Sequence, residues 1–217
     1  MEEEEEDGKR PLLLELFSGT GSVGRAFRAQ GWQVISLDLD PKAHADICKD
    51  VLQFDPKEFL DRKVDVVWAS PCCTHFSKAR NNKSSETELC ASDCLVRKSL
   101  EIARELGAPV FIENPESGKL KTRGILNLLS MNTVDYCKYA DWGYRKRTAI
   151  WTDTDWEPSR PLCRYDCSST VPGFKRHKAK AQQGSPGPCF SRNELYRIPP
   201  ALCDEIASYC TRLVSVL

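Results

Sequence analysis

The sequence predicts an α/β fold: a doubly wound, mostly parallel sheet with a small irregular basic module near the C-terminus. Two observations predict it. Short apolar runs alternate with stretches of helical spacing up to about Trp151, the pattern of parallel strands joined by crossover helices. Beyond Trp151 the chain turns to Pro, Gly, Ser, Cys and basic residues with little periodicity.

The elements follow in order. Residues 1–10 hold the six acids Glu2 to Asp7 and read as a solvated, disordered head. Pro11 to Phe17 is an apolar run ended by Ser18-Gly19, suited to a buried strand. Val23 to Gln30 has helix spacing and is closed by Gly31. Trp32 to Leu37 is a second strand that ends at Asp38, and Ala43 to Cys48 reads as a short helix. Val64 to Ala69 is a further strand, Cys90 to Leu106 a helix, and Ala108 to Ile112 a strand that ends at Glu113-Asn114-Pro115. Pro199 to Leu217 returns to helix spacing. The expected domains are therefore the head, a sheet domain of residues 11–152 and 194–217, and the module of residues 153–193.

Composition narrows the classes. The 217 residues carry 31 Lys and Arg against 31 Asp and Glu. The six acids of the head leave residues 11–217 basic by about four charges. Between Val171 and Arg192 there are five Lys or Arg residues, His177, and no acid. A mildly basic body is compatible with a nucleic-acid partner. The run Leu12-Leu13-Leu14 is too short for a signal peptide or a membrane span. The 11 cysteines are accordingly expected in a reducing, intracellular setting, nucleus and cytoplasm not being distinguished. A monomer with no membrane partner is expected.

In an open α/β sheet, ligands bind beyond the carboxyl ends of the strands. Polar residues worth notice fall at those ends. Gly19-Thr20-Gly21-Ser22-Val23-Gly24 follows a strand and opens a helix, which permits a tight turn and close backbone approach to a ligand. Asp38, one strand on, is placed to bind a ribose diol. This pair suits a dinucleotide or another nucleoside-type cofactor; a purely structural turn is the alternative. At Pro71-Cys72-Cys73 a proline re-aims the chain and a thiol follows. A cysteine becomes a strong nucleophile once ionised, and His75, Lys78 and Arg80 are close in sequence. The alternative is a buried structural thiol, and Cys73 is the candidate for that role. Glu113 at a strand end in a cleft can donate a proton, or simply close the strand with Asn114-Pro115. Arg145-Lys146-Arg147 offers a clamp for phosphate or a carbonyl, or a solvated face. Cys163, Cys167, His177 and Cys189, with Cys137 as an alternative fourth ligand, have the donor types of a structural zinc site that would hold a module lacking an apolar core.

The order of these signals is more specific than any one of them. Phe17-Ser18-Gly19-Thr20-Gly21, Asp38, Asp50, Pro71-Cys72-Cys73-Thr74-His75-Phe76-Ser77, Phe111-Ile112-Glu113-Asn114, Arg145 with Arg147, and Ile198-Pro199-Pro200 form a series. It resembles the DNA cytosine-5 methyltransferase family, most closely its small phage- and virus-type members, over about residues 12–151 and 196–210. The resemblance implies a Rossmann-like methyltransferase sheet and S-adenosylmethionine as cofactor, lined by Phe17, Ser18, Gly19, Gly21, Asp38, Asp50 and Pro71. It implies Cys72 as the nucleophile on carbon 6 of cytosine, Glu113 as the group at ring nitrogen 3, and Arg145 or Arg147 on the cytosine carbonyl or the catalytic loop. It implies DNA as the partner. The chain departs from the family pattern in having Cys73 where Gln is usual, Pro115 for Val, and Gly143 for the Gln of the Gln-x-Arg-x-Arg motif. The Gly-Asn before the late Pro-Pro pair is missing, with Tyr196-Arg197 nearby. The stretch left for target recognition, Trp151 to Leu195, is short, so RNA stays open as the polymer. A catalytically silent nucleic-acid-binding relative and a nicotinamide-dependent oxidoreductase are the other readings. Retention of Cys72 and Glu113 speaks against the first, and the second leaves Pro71-Cys72 and Glu113-Asn114 unexplained.

Overall fold

The computed structural model describes residues 10–59, 63–77, 84–181 and 190–215, so the acidic head, Lys78, Arg80 and Cys189 lie outside the described residues. The strands are β1 (Leu12–Leu16), β2 (Gln33–Asp38), β3 (Ile47–Cys48), β4 (Val66–Ala69), β5 (Val110–Pro115), β6 (Ser130–Asp135), β7 (Tyr144–Arg145), β8 (Arg147–Thr152) and β9 (Ala179–Lys180). The main helices are α1 (Ser22–Ala29), α2 (Glu86–Leu106), α3 (Arg192–Tyr196) and α4 (Pro200–Ser215). Seven strands form one sheet in the order β3-β2-β1-β4-β5-β8-β6, and β7 pairs with β9 in a separate ribbon.

β1 lies mid-sheet with every residue buried, as a strand covered on both faces requires. It runs parallel to β2 and β4, and β4 runs parallel to β5. The last pairs, β5 with β8 and β8 with β6, are antiparallel. From β1 the chain builds outward to β2 and β3, then returns to lay β4 on the other side of β1. The topological switch therefore falls between the carboxyl ends of β1 and β4, the position where this fold class binds its ligands. Ser70 N donates to Leu16 O at 3.3 Å and closes that junction.

One apolar layer packs Leu14, Val67, Ile112, Val96 and Ile102 beneath α2. The other packs Leu13, Phe27, Trp68, Phe111, Trp156, Leu202 and Ile206 beneath α1 and α4. α4 is pinned to the start of β2 by Trp32 Nε1 donating to Thr211 Oγ1 at 2.8 Å. No helix among the described residues is long and apolar enough to cross a membrane.

Two elements differ from expectation. The stretch Ala43–Cys48 is no helix: one 3-10 turn, Pro41–Ala43, is followed by β3. His44 has a φ of 51°, which breaks a helix. Asp46 Oδ2 then accepts from Ser36 N at 2.8 Å and Ser36 Oγ at 2.6 Å, drawing the chain against β2 as an edge strand. α2 begins at Glu86 rather than at Cys90, because Ser85 and Glu88 make a reciprocal capping box.

α1 sits very close to β1. A methyl group on Gly24 would collide with Glu15 Oε2 and meet Val34 Cγ1 at 3.1 Å, so a larger residue there must displace the Glu15 carboxyl. Glu15 is 2% exposed, and burial raises its carboxyl to about 7. The Val23 and Gly24 amides and the Arg25 and Arg28 guanidiniums offset only part of that. The unfolded chain ionises Glu15 near 4.5 while the folded chain holds the proton until about 7. Its contribution is therefore most favourable below pH 4.5, falls as pH rises to 7, and is flat above. The Glu15→Gln variant should be more stable than wild type at pH 8 by about 3 kcal/mol, and nearly equal to it at pH 4.5. Urea unfolding of both at the two pH values tests this; parallel profiles would contradict it.

Candidate active site

Four strand ends lie along this edge of the sheet. At the end of β1 the backbone takes positive φ at Phe17 (57°), Gly19 (48°) and Gly21 (63°). The turn closes with Gly21 N donating to Ser18 O at 2.7 Å and leads into α1, whose first residues lack a side-chain cap. At the end of β2, Asp38 Oδ2 accepts from Gly19 N and Oδ1 from Asp40 N, each at 2.8 Å. Asp38 thus braces the Gly-rich turn from the neighbouring strand. Asp50, past β3, caps a 3-10 turn by accepting from Leu52 N at 3.0 Å. Leu39 and Leu52, beside those two acids, are 67% and 47% exposed. Ser18 Oγ is buried with no hydrogen-bond partner, an orphan acceptor and donor in the turn.

β4 ends at Ala69, and Pro71 is buried while Cys72 is exposed. Asn114 Nδ2 donates to Pro71 O at 2.9 Å, so β5 holds the Pro-Cys segment directly. Phe76, fully buried, anchors the other side: its carbonyl accepts from Lys119 N at 2.9 Å. The Cys72 Sγ lies 3.1 Å from Thr74 Oγ1. Cys73 points inward; burial, and then the Glu113 charge, push its thiol up to about 11. His75 turns to α2, where its Nδ1 lies 3.0 Å from Ser92 Oγ.

Glu113 does not end its strand but lies within β5, 7% exposed and paired in register with Ile150. Its Oε1 accepts from Tyr136 Oη at 3.1 Å and lies 3.8 Å from Lys146 Nζ. Lys146 also donates to Leu195 O at 3.2 Å and rests over the Tyr136 ring. Arg145 and Arg147 do not join Glu113. Alternation along β7 and β8 turns both to the other side, towards Asp135. Arg147 binds it with Nε at 3.0 Å and Nη2 at 2.7 Å; Arg145 Nε is 4.0 Å away. Lys146 and Tyr136 are thus residues that the motif reading passed over. The signal for Lys146 was strand alternation: the residue between two arginines must face the other way.

In the module, Cys163, Cys167 and His177 come together with Cys137, the alternative fourth partner. Cys137 directly follows Asp135-Tyr136, so the cluster adjoins the groups that hold Arg147 and Glu113.

The chain is 36% identical to a probable DNA (cytosine-5)-methyltransferase of Frog virus 3 (isolate Goorha) over 217 aligned positions, covering 91% of this chain and 99% of that protein. Among solved structures, Schizosaccharomyces (S.) pombe Dnmt2 methyltransferase is similar with a TM-score of 0.47 and 18% identity, covering 68% of this chain and 53% of that one. The Entamoeba histolytica methyltransferase EhMeth is similar with a TM-score of 0.47 and 17% identity, covering 71% and 56%. The chain thus spans about half the length of these two solved proteins. No protein-family model matches it. With more than a third of its residues shared along almost the whole viral protein, this chain belongs to the DNA cytosine-5 methyltransferase family.

Proposed function

We propose that the chain transfers a methyl group from S-adenosylmethionine to carbon 5 of cytosine in DNA, through a covalent adduct on Cys72. The observation that carries the reading is the Asn114–Pro71 bond, which ties an exposed cysteine and a buried glutamate to neighbouring strands at one sheet edge. The cofactor, when bound, supplies an electrophilic methyl group. Phe17, Ser18, Gly19, Gly21, Asp38, Asp50 and Pro71 are the residues that would hold it. The partnerless Ser18 Oγ, the left-handed turn and the exposed Leu39 and Leu52 suit a ligand with polar groups and a flat apolar ring.

The chain's own chemistry follows from charge and exposure. Cys72, accessible and beside Thr74, forms a sulfur–carbon bond at carbon 6 of the base as its thiolate. Glu113 meets ring nitrogen 3 with a proton, so that the electron pair displaced from the double bond reaches carbon 5 without leaving charge on nitrogen. Tyr136 holds the other side of that carboxyl group, and the Lys146 ammonium offsets its charge. The role that the resemblance gives Arg145 or Arg147 passes in this reading to Lys146. Arg145, one-third exposed, serves instead as positive surface for the phosphate backbone, while Arg147 is taken up by Asp135 and braces the start of β8. After methylation the carbon 5 proton goes to solvent, the sulfur–carbon bond breaks, and Cys72 is regenerated. Cys73, held as a neutral thiol, packs. In a duplex the base must first be turned out of the stack.

Labelled methyl transfer to DNA and to RNA tests the reading. Transfer to DNA should be lost in Cys72→Ala and kept within about tenfold in Cys73→Ser. Transfer to RNA alone would move the substrate to RNA, and transfer to neither would end the proposal. Lys146→Met should lower kcat by about 100-fold, while Arg145→Met should chiefly weaken DNA binding and make its salt dependence shallower by about one unit of slope. Equal kcat losses in the two variants would reject the assignment of Lys146.

A further inference from the structure

We propose that Cys137, Cys163, Cys167 and His177 form a structural zinc site that fastens the basic module to the turn after β6, next to Tyr136, the hydrogen-bond partner of Glu113. Their ligand atoms lie within 4.8 Å of one another, the one such group of Cys, His and acidic residues that the described residues hold. Zinc bonds of about 2.3 Å to sulfur and about 2.05 Å to nitrogen, at tetrahedral angles, place sulfurs about 3.8 Å apart and sulfur about 3.6 Å from nitrogen. The Cys163 and Cys167 sulfurs are 3.6 Å apart, and His177 Nε2 lies 3.5 Å and 3.3 Å from them. These three match one face of a zinc tetrahedron, and Cys137 Sγ lies within 4.8 Å of each corner. A disulfide would need the two sulfurs about 2 Å apart.

The surroundings suit thiolate ligands. The Tyr165 amide donates to Cys163 Sγ at 3.3 Å, and Thr170 Oγ1 lies 3.3 Å from Cys167 Sγ. Tyr165 reaches that position through a left-handed backbone, φ 66°. Hydrogen bonds of this kind stabilise sulfur ligands and fix their orientation. A Thr170–His177 bridge and Lys178 N donating to Ser169 O at 2.9 Å set the histidine. Four protein ligands leave no open position, so the metal is structural and not catalytic. Softness of three thiolates and one imidazole favours zinc over magnesium or calcium.

The site has a second consequence. Cys137 closes the tripeptide Asp135-Tyr136-Cys137. Asp135 holds Arg147 and accepts from Cys163 N at 2.9 Å; Tyr136 holds Glu113. Metal at Cys137 therefore fixes the end of a segment whose two preceding side chains set the site. The loop between the ligands, Arg164 to Lys175, also lines an open cavity of about 600 Å³ with Arg164 and Lys175 at its rim.

The full chain, purified without chelator, should contain about one equivalent of zinc by mass spectrometry. Cys163→Ser and Cys137→Ser should retain less than roughly a tenth of that, and Cys189→Ser should retain all of it. Cobalt replacement should give the intense visible bands of a tetrahedral ion together with thiolate-to-metal charge transfer. Because the ligand variants can fail to fold, the cobalt spectrum is read on the wild-type chain. Less than about half an equivalent of zinc after reconstitution, or a weak octahedral cobalt spectrum, would overturn the proposal. Loss of metal in Cys189→Ser with retention in Cys137→Ser would overturn the ligand assignment.

Discussion

One buried carboxylate touches both parts of the molecule. Asp135, at the end of β6, is 1% exposed and carries its charge inside the protein. Such a charge costs several kcal/mol unless it is matched. Here it is matched by two donors of Arg147 on β8 and by the Cys163 amide of the module. The first fixes the β6–β8 register at its end, where Asp135 stands opposite Arg147. The second docks the module on the sheet. Removing any one donor leaves that buried charge incompletely matched, so the end of the sheet and the docking of Cys163 are coupled. The neighbouring Tyr136 and Lys146 take their places by strand alternation, one residue along from each member of that pair.

Much of this was legible in the sequence. β1, β2, β4, β5, α1 and α4 fall where apolar periodicity puts them, within a residue or two at most ends. Buried parallel strands read as unbroken apolar runs, and Leu12 to Leu16 is such a run except for Glu15. The capping box at Ser85 and Glu88 was equally readable; a search for apolar spacing alone starts the helix at Cys90. The edge strand β3 was not. Its two residues show no periodicity, and what makes it a strand is a side-chain bond from Asp46 to Ser36, ten residues away in sequence. Long-range pairing also governs β6 and β8, which no local pattern announces.

The site divides the same way. The residues at strand ends were legible because topology alone brings Gly19, Asp38 and Cys72 to one edge. The partners of Glu113 were not, since they come from the turn that follows β6 and from the residue between β7 and β8. The arginines of the basic run were noticed for their charge, yet the orientation of a strand side chain depends on register, and register places Lys146 inward. Charge marks a run as interesting; parity decides which member of it counts.

The module leaves the sheet after Thr152 and the chain returns through α3 to α4, tied down on the way by Trp156 in the core, Ser159 on Glu205, Cys163 on Asp135 and the β7–β9 pair. Pro172 to Arg176 form an exposed loop with no ties to the sheet among the described contacts. Changes of length or sequence there leave every strand pairing untouched. Variation in this one loop is therefore separable from the sheet and from the residues gathered at its edge.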